Sequence, residues 1–225
     1  MTTTKLRNQI QDWLEENQNP VDAPRMKSYM KDQYEYYGIK SPVRNVLSSR
    51  IYKEHKAFIL ENLEEFVHVM WNEPYREYQY IAMDVLKKSK NKLTLENLPM
   101  VEWLITQKSW WDTVDFLAST LVGYIFSKNP ELIYPKVEAY LNSGNMWLQR
   151  TAVLFQLKYG QLTDKELLFD TIRQLRGGKE FFINKALGWA LRQYSKYNPG
   201  AVGEFIETEK ATLSGLTIRE GSKYL

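Results

Sequence analysis

Apolar residues recur three and four positions apart from one end of the chain to the other, and strict alternation of apolar and polar residues is almost absent. Leu6, Ile10, Trp13 and Leu14 form one stripe, Ile81, Val85 and Leu86 another, and Leu167, Leu168, Ile172 and Leu175 a third. Each stripe predicts an amphipathic helix with one buried face. Asn19-Pro20, Ser41-Pro42, Glu73-Pro74, Asn129-Pro130, Gly177-Gly178 and Asn198-Pro199 break the pattern with residues that stop a helix or open the next. The chain is thereby cut into about a dozen helices of roughly 10 to 20 residues, with no long linker.

The pattern also repeats at roughly 34 to 36 residues. Helices opening near Pro74, Ser109, Asn145 and Glu180 carry a large apolar residue in the first turn and a small one midway: Ala82, Ala118, Ala152 and Ala186. A preceding helix accompanies each, so the unit is a helix pair. The expected fold is therefore all-α, a curved solenoid of HEAT-like or armadillo-type antiparallel pairs with a concave face, forming a single domain over 1–225. An irregular helical bundle is the alternative.

Composition narrows the chemistry. The 225 residues are 44% hydrophobic and 14% aromatic, enough for a well-filled core. There is no cysteine, which removes disulfides and thiolate metal sites, and the two histidines, His55 and His68, lack metal-ligand spacing. No cofactor or metal is expected. The N-terminus has no signal-peptide core and no window resembles a membrane span, so a cytoplasmic protein without membrane attachment is expected. The net charge of +3 permits nucleic-acid binding without requiring it.

Three segments hold the candidate chemistry. In KSWWDTVD, residues 108–115, Ser109 and Asp112 have capping-box spacing, and Trp110 falls on the core stripe with Val114, Leu117 and Leu121. Trp111 and Asp115, four apart, share a different face. They read either as a packing contact with a rim ion pair, or as an aromatic wall beside an anion, suited to a cationic ligand. In NMWLQRTAVLFQLKYG, Arg150 stands among apolar neighbours, as in a buried ion pair or an anion site. In KEFFINKALGWALRQYSK, Lys185, Trp189, Arg192 and Lys196 draw a basic and aromatic stripe along one helix, as expected for a nucleic-acid track. Arg25, Lys27 and Tyr29 lie on a helix opened by Ala23-Pro24, with Met26 and Met30 beside them. Catalytic triads, glycine-rich phosphate loops and paired His ligands are missing.

Those segments, with KSYMKDQYEYYGI at 27–39, resemble the AlkD family of bacterial alkylpurine DNA glycosylases in order and spacing over nearly the whole chain. The resemblance implies HEAT-like pairs with duplex DNA in a concave channel, and a monomer that excises cationic N3- and N7-alkylpurines without flipping the base. It places the catalytic aspartate at Asp115, the two active-site tryptophans at Trp111 and Trp189, a DNA-contacting arginine at Arg150 and a site tyrosine at Tyr29. Lys185, Arg192 and Lys196 join the expected DNA contacts. A noncatalytic DNA-damage binder and a protein-interaction scaffold are the rival classes.

Overall fold

The computed structural model describes all residues from Met1 to Leu225. Every regular element is helical, and an isolated bridge between Glu35 and Tyr75 is the one β pairing. No helix is long and apolar enough to cross a membrane. The chain forms two compact units, Met1–Leu93 and Thr94–Leu225.

The first unit contains α1 (Thr3–Glu16), α2 (Asp22–Tyr29), α3 (Ser41–Glu61), α4 (Leu63–Asn72) and α5 (Arg76–Ser89). Leu6, Ile10 and Leu14 are fully buried in α1, which packs on α4, while α3 and α4 both pack on α5, whose Ile81, Val85 and Leu86 are fully buried. Glu77, itself buried, holds the segment before α3 by accepting the backbone N–H groups of Tyr37, Gly38 and Ile39 at 3.0–3.1 Å. Gly38 is required there: its φ is +87°, and a Cβ would come within 2.2 Å of the Asn19 carbonyl oxygen.

The second unit contains α6 (Leu98–Thr106), α7 (Trp111–Phe116), α8 (Gly123–Lys128), α9 (Ile133–Asn142), α10 (Met146–Leu154), α11 (Lys165–Leu175), α12 (Phe181–Ser195), α13 (Pro199–Glu209) and α14 (Gly215–Gly221). They form helix pairs in two rows. Along one row α7, α10, α12 and α14 pack in succession; α9 and α11 pack on one another in the other row, and α13 covers α12. All six sequence breaks fall between helices or at a helix start, with Pro42 and Pro199 in first turns.

The repeat is tighter than the sequence suggests. Ser41, Arg76, Trp111, Met146 and Phe181 open α3, α5, α7, α10 and α12 at a constant spacing of 35. Ala82, Ala118, Ala152 and Ala186 are all at most 3% exposed. One local expectation is corrected. Ser109 does not cap α7: its hydroxyl donates to the Ile105 carbonyl at 2.6 Å, and the helix opens after Trp110 in extended conformation, leaving Asp112 in the first turn. From there the chain winds without a break to Lys128, α7 passing into α8 through a wider π segment, Leu117–Val122, and Val114, Leu117 and Leu121 are fully buried.

Candidate functional site

Asp115 occupies the last turn of α7, two residues before the π segment, and the Ser119 hydroxyl donates to its main-chain oxygen at 2.7 Å. Its carboxylate faces Arg150 on α10, one repeat onward. Arg150 Nε donates to Oδ1 at 2.7 Å and Nη2 to Oδ2 at 2.8 Å, a two-pronged pair, and Nη1 donates to the Phe182 carbonyl. Arg150 is 3% exposed and the Asp115 side chain 13%, so the pair sits almost wholly inside the protein with one carboxylate edge open. Asn145 caps α10, its side chain accepting from the N–H groups of Trp147 and Leu148, which fixes the turn that carries Arg150.

Burial pushes the Asp115 carboxyl above the usual aspartate value, because charge is costly out of water; the Arg150 hydrogen bonds and charge oppose that rise, and Asp112 adds to it. Burial and the guanidinium thus act on the Asp115 carboxyl in opposite directions.

A cleft of about 350 Å³ opens above this pair. Trp111, Phe181 and Trp189 line it with Phe182, and Lys185 and Arg192 complete the rim. Trp189 is anchored by packing on the core of the second unit. Behind it, Gly188 lets α14 come close: a Cβ there would lie 2.6 Å from Glu220 Cβ and 2.9 Å from the Thr217 carbonyl oxygen. Glu220 takes Lys185 Nζ at 2.8 Å and Arg192 Nη1 at 2.9 Å, and Lys223 also joins it at 2.9 Å. Lys185 first, with Lys223, brings its carboxyl down to about 2. Beneath the cleft Trp110, Trp147 and Phe182 pack ring against ring at centroid distances of 5.0–5.9 Å. The cleft thus combines one carboxylate, three cations and a wall of large rings, which suits a flat or cationic group attached to an anionic polymer.

The family profile described as DNA alkylation repair enzyme matches residues 10–225. The chain belongs to that family. A solved structure, a predicted DNA alkylation repair enzyme from Enterococcus faecalis, is 36% identical, covers 92% of this chain and 96% of its own, and superposes with a TM-score of 0.85. No curated protein matches. Membership in the DNA alkylation repair family makes DNA the partner and alkylation repair the role.

In this DNA alkylation repair enzyme Asp115, Trp111, Trp189, Arg150, Lys185 and Arg192 come together around one cleft. Lys196 does not line it; its ammonium lies 3.0 Å from Gln193 Oε1 and 5.3 Å from the centre of the Tyr224 ring. Tyr29 belongs to the first unit, where it is 68% exposed beside Arg25, Met26 and Lys40. Of the two readings open for Arg150, the structure shows the buried ion pair: its Nε, Nη1 and Nη2 all donate to groups of the protein. Its burial between hydrophobic neighbours leaves Asp115 as the partner that compensates its charge. Phe181, Phe182 and Glu220 escaped the sequence reading. The 35-residue period could have found them: Phe181 repeats the position of Trp111 two units on, and Glu220 follows Lys185 by one unit.

Proposed function

We propose that the protein hydrolyses the N-glycosidic bond of cationic N3- and N7-alkylpurines in duplex DNA, releasing the modified base and leaving an abasic site. The observation that carries this reading is a single buried, arginine-held carboxylate in a cleft lined also by two tryptophans, with no histidine and no second carboxylate in its lining. Alkylation at N3 or N7 already places a positive charge on the purine. When the bond from the sugar C1′ to the base breaks, its electron pair neutralises that charge, so departure requires no general acid. Positive charge then grows on the deoxyribose, as in other glycoside cleavages, and water adds at C1′.

Asp115 opposes the developing charge from a fixed position, and Arg150 keeps it ionised and aimed without filling the open carboxylate edge. Trp111 and Trp189 flank the sugar and exclude bulk water, while Phe181 extends the wall at the mouth. Lys185 and Arg192 meet the neighbouring phosphates. Incubation with a duplex carrying N7-methylguanine tests the reading: free 7-methylguanine and alkali-labile abasic sites are expected. Tight retention of the lesion without release would instead assign a damage-binding role.

A further inference from the structure

Positions 115, 150, 185 and 220 recur at the same spacing of 35 residues on the successive helices α7, α10, α12 and α14, and they hold Asp115, Arg150, Lys185 and Glu220. The charges run minus, plus, plus, minus. The two central cations turn away from each other, Arg150 onto Asp115 and Lys185 onto Glu220. Glu220 is 5% exposed and holds Arg192 as well, so the cations one turn on either side of Trp189 share one anchor. Both remain partly exposed, at 38% and 25%, and retain donors for an outside ligand.

Glu220 does not itself line the cleft, and its charge is more than compensated by its three cationic partners. Left without it, Lys185 would be an uncompensated charge in a cleft whose lining holds Arg150 and one carboxylate, Asp115. An ammonium on the open edge of Asp115 would weaken what that carboxylate can do for a developing cation. We propose that Glu220 is a positioning residue of the cleft: it holds Lys185 and Arg192 against α14, which leaves Asp115 to Arg150 alone and presents the two cations to the DNA backbone in one arrangement.

The kinetic half of this inference rests on the excision reading; the binding half does not. In Glu220→Gln the released cations gain freedom to meet phosphates. Binding to undamaged duplex is expected to tighten, with the logarithmic salt dependence steeper by roughly 0.9, about one additional phosphate contact. At saturating DNA, single-turnover release of 7-methylguanine is expected to slow by about tenfold, a fraction of the loss on removing a whole electrostatic group. Affinity and rate thus move in opposite directions, which a merely structural lesion does not produce. Adding Lys185→Gln removes the liberated ammonium together with its own phosphate contact, so in the double variant the salt slope should fall below that of Glu220→Gln and release at saturating DNA should be faster than in Glu220→Gln. Its restored charge balance also serves if Glu220→Gln alone folds poorly by circular dichroism. Looser binding together with slower release, or parental values for both, would overturn the proposal. A parent protein that binds but releases no base would sink the excision reading separately, and the salt slope would then decide Glu220 alone.

Discussion

At the scale of single residues the Asp115–Arg150 pair dominates, and its burial changes what substitution should do. A carboxylate on an open channel face would be replaceable without consequence for folding. With Arg150 3% exposed, Asp115→Asn leaves a buried guanidinium facing a neutral amide that can still accept one hydrogen bond. A stability loss of about 1–3 kcal/mol is expected in denaturant unfolding, below the full penalty of a stranded buried charge. Arg150→Ala removes the group that keeps Asp115 ionised, so the acidic limb of the pH–rate profile should move to higher pH. The salt dependence of DNA binding should stay unchanged, because Arg150 is turned inward; a slope flatter by one phosphate contact would put it back on the backbone. In the parent, burial raises the Asp115 carboxyl above its ordinary 3.8. The folded state then binds that proton more tightly than the unfolded chain does. Acidification between the ordinary and the raised value should therefore extinguish excision while Asp115 itself shifts the balance toward the folded state. Loss of fold preceding loss of rate in that window would contradict this.

At the scale of elements, the repeat places the chemistry. Asn145 begins the helix carrying Arg150, and Asn145→Ala should cost about 1 kcal/mol by loss of a side-chain cap, measured by thermal unfolding. Gly188→Ala forces α12 and α14 apart where a Cβ meets backbone and Glu220, so a destabilisation of about 1–3 kcal/mol is expected in denaturant unfolding. Full stability in that variant would show that α14 has slack. Helix boundaries and core stripes were legible in the sequence because Pro, Gly and apolar spacing act locally: Leu6, Ile10 and Leu14 are buried as the periodicity implies. The start of α7 was not, since Ser109 finds the carbonyl of Ile105 in the preceding helix, an alternative that spacing within KSWWDTVD does not reveal. The π turn was equally hidden, because Leu117 to Val122 read as an unbroken helical stripe.

At the scale of the whole molecule, the site could be read from sequence where a residue type has one plausible use, and misread where it has two. Trp111, Asp115 and Trp189 meet at one cleft as their faces suggested, whereas the direction in which Arg150, Lys185 and Arg192 turn depends on carboxylates 35 and 28 residues away. That pairing is a tertiary property. A cleft with one carboxylate and no proton donor of ordinary acidity should also sort substrates by the charge of the leaving base. N3- and N7-alkylpurines should leave readily, and uracil and hypoxanthine, which are neutral, should hardly react; efficient uracil release would require an acid that the cleft lacks. The most direct measurement is the single-turnover rate of 7-methylguanine release at saturating enzyme, parent against Asp115→Asn, at a pH where the parent carboxylate is ionised. A variant that is folded and binds the same duplex at least as well should release base on the order of 10² to 10³ times more slowly. Release at the parental rate by such a variant would show that the Asp115 charge does not drive the reaction.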